Sequence, residues 1–126
     1  MKKILFLLAF VFLSVISYSQ SKFIRTFDLT IGLKNDGKVE WSPSSKVSVL
    51  IKLDTYVIVI YSNINQTFRV ISYDGKYDNG IRRWYCSDSR GLNCYLYITT
   101  IDPKTGVISV GVEYDDLTYY YRGYQE

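Results

Sequence analysis

From Phe27 onward the apolar residues of this chain recur at every second position, in short runs broken roughly every ten residues by clusters of Asp, Asn, Gly and Pro. A period of two buries one face of a strand and wets the other, and no stretch beyond the N-terminal segment carries a helical period over three turns. The chain therefore reads as all-β, an antiparallel meander of about eight short strands. Phe27, Leu29, Ile31 and Leu33 alternate with Asp28, Thr30 and Gly32, and Asn35-Asp36-Gly37 supplies a tight turn into a short return strand with Val39 and Trp41. Val47, Val49, Ile51 and Leu53 form the next alternating set, and 56–61 is apolar on both faces, as a central strand would be. Asp54-Thr55 between them is either a hairpin turn or a bend in one long strand. Further strands are expected at 67–73, 82–87, 93–101, 107–114 and 118–122, with 93–101 and 107–114 joined as a hairpin across Asp102-Pro103-Lys104-Thr105-Gly106. Such strands close into a small barrel or stack as a two-sheet sandwich, and periodicity does not choose between the two.

Ahead of this pattern stands a different one. Met1-Lys2-Lys3 precedes an apolar run from Ile4 to Leu13, and small residues at Ser17 and Ser19 would allow cleavage before Gln20. Residues 1–19 thus read as a helical signal peptide and 20–126 as one β domain, secreted or periplasmic. The run is shorter than the ~20 residues that cross a bilayer, so no stable membrane insertion is expected after cleavage. Loss of Lys2 and Lys3 takes two units off a formal net charge of +3. A nearly neutral domain has little long-range field to draw it onto nucleic acid, and none is expected as a partner.

Cys86 and Cys94 are the only two cysteines. An exported chain meets an oxidising compartment, so a disulfide between them is the expectation. With Cys86 opposite Cys94, Asp88 faces Leu92 and the loop is Ser89-Arg90-Gly91, a three-residue turn with glycine at its left-handed position. The same register pairs Trp84 with Leu96 and Tyr85 with Tyr95, and puts Trp84, Cys86, Cys94, Leu96 and Ile98 on the inward face. On the following strand Ile108, Val110, Val112 and Tyr114 point one way.

The chain contains no histidine, and its one methionine starts the signal segment. His-assisted nucleophilic catalysis and the usual transition-metal sites are therefore closed to it. Its carboxylates fall mostly in turns, at Asp36, Asp54, Asp74, Asp78, Asp88, Asp102, Asp115 and Asp116, where turn-making explains them. The segment 73–80 has the composition of a calcium loop, but Lys76 stands where a ligand oxygen is required. No catalytic residue, metal or cofactor is expected, and the chain does not read as an enzyme.

What stands out is tyrosine, 13 in all, with Tyr119-Tyr120-Tyr121 in a row. Tyr85, Tyr95 and Tyr97 are sent outward by the cysteine register, and Tyr119 and Tyr121 share one face of the last strand. These five form the expected binding surface, for rigid amphipathic rings suit contact with a protein or a glycan. The bland explanation is that tyrosine has high β propensity and covers an exposed sheet face. The expected function is a non-enzymatic binding module, the alternative being a small lipocalin-like barrel that holds an apolar ligand inside.

Overall fold

The structure, a computed structural model, describes residues 21–76 and 81–126; the signal peptide and its cleavage site lie outside the described residues. Every element described is a strand: β1 Lys22–Asn35, β2 Lys38–Trp41, β3 Ser45–Lys46, β4 Leu50–Leu53, β5 Val57–Tyr61, β6 Gln66–Lys76, β7 Arg82–Asp88, β8 Asn93–Asp102, β9 Val107–Glu113 and β10 Leu117–Gln125. From β4 to β10 each strand pairs antiparallel with the next. β1 pairs with β4 through Lys22–Leu53 to Arg25–Leu50 and with β10 through Ile24–Gln125 to Leu33–Leu117, which closes an eight-stranded barrel and rules out the sandwich. β2 and β3 lie outside the ring and pair with the part of β1 that runs beyond β4.

Closure brings the inward face of every strand onto one core. Ile51, Ile60, Cys86, Leu96, Val110 and Val112 are 0 % exposed, so no water-sized void touches them. Eight strands leave an interior about wide enough for side chains to fill, and here isoleucine, valine, Phe68 and the cysteines fill it.

The alternation of Val47, Val49, Ile51 and Leu53 is interrupted. Only Leu50–Leu53 is strand, while residues 47–49 run beside β1 through Thr26 N–H to Val49 O (3.0 Å) and Val47 N–H to Phe27 O (3.1 Å). The buried Thr26 hydroxyl completes the join, donating to Val47 O and accepting from Val49 N–H, both at 3.0 Å. Asp54-Thr55 belongs to a true hairpin, with Leu53 opposite Ile58 and Asp54 N–H bonded to Val57 O at 3.0 Å.

β1 departs further from its reading. Ile24 and Thr26 face inward, then a bulge between Thr26 and Asp28 reverses the parity and turns Phe27 and Asp28 out. Phe27, expected in the core, packs outside against Tyr124 with ring centroids 5.6 Å apart. Ile31 and Leu33 keep the inward parity but are exposed, because the C-terminal half of β1 extends past the packed interior into its hairpin with β2.

The β7–β8 hairpin has the expected register, with Cys86 opposite Cys94, Trp84 opposite Leu96 and Tyr85 opposite Tyr95. Gly91 sits at φ 84°. The disulfide is not formed: Cys86 and Cys94 are two buried free thiols. Asp88 N–H bonds to Leu92 O at 2.8 Å, so alternation along the ladder makes Cys86 and Cys94 a hydrogen-bonded pair, the wider of the two antiparallel spacings. The side chains at such a position stand apart, and both enter the barrel core. Burial pushes the Cys86 thiol up to about 12 and the Cys94 thiol up to about 11, although the Tyr114 hydroxyl beside Cys94 acts against the latter shift.

Candidate functional site

The turns that follow β1, β5, β7 and β9 gather at one end of the barrel. Asp88, the last residue of β7, organises this mouth. One carboxylate oxygen accepts from the backbone N–H groups of Arg90 and Leu92, each at 2.9 Å, and the other from the Tyr114 hydroxyl at 2.8 Å and from Arg90 Nη2 at 2.9 Å. Burial by itself would raise this carboxyl, but the bonds from Tyr114, Arg90 and Leu92 outweigh it and bring it from 3.8 down to about 2. Tyr114 is pushed above the usual phenol range by burial and by its bond to Asp88, and so remains a donor. The Arg90 guanidinium lies over the Tyr114 ring at 5.7 Å.

Across the mouth, Gln66 opens β6 and receives the last strand. Its Oε1 accepts from the Tyr119 hydroxyl, and its Nε2 reaches the Tyr121 hydroxyl and the Ser62 hydroxyl at 3.4 Å each. Burial raises both phenols, with the Gln66 bond working against the shift of Tyr121. Tyr119 and Tyr121 are therefore interior residues, buried and set edge to face with ring centroids 5.8 Å apart. They do not join the outer tyrosines. The inward parity of β10 places them, since Tyr121 pairs with Leu29 on one side and Val110 on the other. Between the Asp88 and Gln66 clusters lies a cleft of about 490 Å³ lined by Ile64, Phe68, Leu117, Tyr119, Gln66 and Arg90 among others.

Tyr85, Tyr95 and Tyr97 lie where the register sends them, half-buried on the outer wall. Their rings form a ladder, 5.1 Å from Tyr85 to Tyr95 and 6.4 Å from Tyr95 to Tyr97. Arg83 covers it, its guanidinium 4.5 Å from the Tyr95 centroid, and is ion-paired with Asp74. Burial raises the Tyr97 phenol, and a bond from Arg83 opposes that rise. Tyr120 continues the outer face to Trp41, with centroids 5.5 Å apart. At the Tyr85 end a groove of about 310 Å³ opens between Tyr95, Asn93, Lys34, Glu113 and Asp115. Lys34 donates to Tyr114 O at 2.9 Å and lies 3.6 Å from Glu113.

Gln66, Asp88, Arg90 and Tyr114 carry the mouth, and none was singled out as a site residue from sequence. Asp88 was explained as a turn former, which it is. The signal that could have found its second role is the meander register, which puts Tyr114 one position beyond the residue opposite Tyr95. Gln66 and Tyr119 are 53 residues apart and meet only because the barrel closes. No group of three or more His, Cys, Asp or Glu side chains able to hold a metal occurs among the described residues.

Comparison of the chain with protein families, with curated proteins and with solved structures gives no match.

Proposed function

We propose that the chain is a non-enzymatic binding module, secreted or periplasmic, whose outer tyrosine wall takes a glycan. The observation that carries this reading is the ladder of Tyr85, Tyr95 and Tyr97, half-buried and stacked rather than sunk in the core, beside a groove of about 310 Å³. Aromatic rings offer an apolar surface for the C–H faces of a sugar at little entropic cost. Lys34, Asn93 and Glu113 at the groove edge supply donors and acceptors for hydroxyl groups. A protein loop is the other partner such a wall suits.

The test replaces Tyr85 and Tyr95 together by serine and measures binding of the purified domain on a glycan array. Capture of a glycan by the parent protein, lost in the double variant while the melting temperature falls by no more than roughly 5 °C, is the expected outcome, since half-buried aromatic anchors on the outer wall contribute more to association than to a closed barrel. Glycan capture unchanged in the variant would reject the outer wall. The alternative of a lipocalin-like carrier is favoured by a separate observation, the cleft of about 490 Å³ at the barrel mouth.

A further inference from the structure

We infer that the mouth cleft is a site for a small amphipathic carboxylate, its acid group held by Arg90 and Gln66 and its apolar chain laid against Ile64 and Leu117. The inference deepens the carrier reading and does not depend on the tyrosine wall. It rests on which hydrogen-bonding groups of the mouth are already used and which are left.

The acceptors of Asp88 and Gln66 are used. Both oxygens of Asp88 are taken by Arg90, Leu92 and Tyr114, and the Gln66 carbonyl oxygen is taken by Tyr119. The two phenols at the cleft spend their protons on these acceptors, so they offer a ligand no donor of their own.

The donors are left. Gln66 Nε2 holds its two partners at 3.4 Å, beyond the usual range of 2.7–3.2 Å, so an oxygen at ordinary distance would displace them. Arg90 gives its Nε and Nη2 to Asp88 at 3.2 and 2.9 Å, which is a side-on pairing, and the Nη1 end of the fork faces away from that carboxylate. The Arg90 side chain is 68 % exposed and lines the cleft, so that end is reachable.

With the Asp88 and Gln66 oxygens occupied and donors of Arg90 and Gln66 spare, this part of the cleft favours an oxygen-rich anionic head. An ammonium head would meet a carboxylate with no room for another bond, and an alcohol would gain one bond where a carboxylate gains two charge-assisted ones. Ile64 and Leu117 give the remaining wall its apolar surface, beside Asn65, Thr67 and Ser89. Ile64 at the tip of the β5–β6 turn is 83 % exposed, so little of this large aliphatic side chain is buried. Its position over the cleft is what a chain leaving the mouth would cover.

The experiment titrates octanoate, octanol and octylamine into the isotope-labelled domain, with affinity read by calorimetry and location by NMR of the Gln66 side-chain amide and the Arg90 Nε signal. Octanoate is expected to bind at least tenfold more tightly than the other two and to shift both signals. Arg90→Gln should weaken octanoate tenfold or more and leave octanol unchanged. Should that variant lose its fold, Ile64→Ser serves instead, because an exposed side chain carries little of the stability, and it should weaken octanoate several-fold. Equal binding of octanoate and octanol at the mouth would overturn the carboxylate inference and leave the carrier reading standing. No binding of any of the three would remove both, as would octanoate binding that leaves the Gln66 and Arg90 signals in place.

Discussion

Asp88 shows how one side chain can hold a turn and a site together. Its first oxygen satisfies the two backbone N–H groups that a three-residue hairpin loop leaves without a ladder partner, and its second reaches Tyr114, the residue that follows β9, 26 residues away. The turn role is legible in the chain, since the acceptor and both donors lie within four residues of one another. The site role needs β8 and β9 laid down in register first. Because the folded carboxyl titrates at about 2 against 3.8 when unconstrained, its contribution to stability is complete above about pH 4 and is lost as the pH falls through about 2. Asp88→Asn keeps an oxygen for the backbone donors but removes this titration. The parent protein should therefore lose about 1 kcal/mol more than the variant between about pH 4 and pH 2, a figure trimmed for solvent screening around the exposed Arg90. Urea midpoints across that range measure it, and parallel curves for the two proteins would show that Asp88 is not the group titrating.

At the scale of elements, the hairpin was readable because two independent constraints agree on it. Glycine as third loop residue and the expected pairing of Cys86 with Cys94 give the same register, and that register is the one found although the two thiols are not bonded. What the cysteines do chemically was not readable in this way: spacing brings two thiols face to face, but the ladder parity that spreads them depends on where the turn places its first hydrogen bond. β1 illustrates the opposite case. Its alternation from Phe27 to Leu33 looks unbroken, yet a bulge adds one residue and assigns Phe27 to the outside, and periodicity carries no mark of a bulge when the residues flanking it are themselves alternating. Gly91 gives the hairpin its sharpest test. A Cβ there would meet nothing within 4 Å, so any cost of Gly91→Ala comes from forcing φ 84° on an L-residue. That cost should be about 1 kcal/mol, read as a lower urea midpoint with an unchanged m-value. An unchanged midpoint would mean that the turn relaxes to another type without loss.

For the molecule as a whole, strand faces could be read from the chain but closure could not, because alternation says which way a side chain points and not which strand completes the ring. The seam between β1 and β10 joins opposite ends of the domain, and the two strands must approach across the bulge at Thr26 and Asp28. Gly123 makes that approach possible. It is buried opposite Thr26, and a Cβ placed on it would run into the Arg25 carbonyl oxygen and lie 2.7 Å from Thr26 Cα, both backbone atoms with no rotamer to yield. Just beyond, the Arg122 guanidinium grips Asp28 from Nε at 3.0 Å and from Nη2, and packs over Phe27 at 5.5 Å, so the seam is held on the outside by charge and on the inside by Ile24 and Tyr121. Gly123→Ala forces these strands apart where Gly91→Ala only strains a turn. It should cost about 2–3 kcal/mol, the range of overpacking in a well-filled core, and part of the loss should be local. Opening the seam leaves two long strands with unpaired edges, so the variant should exchange its β1 and β10 amides with deuterium faster than those of β7 and β8 and should aggregate at concentrations the parent tolerates. Amide exchange followed strand by strand decides the matter: uniform acceleration across all strands would show that the barrel opens as one unit, and no acceleration at β1 and β10 would show that Gly123 is not what the seam requires.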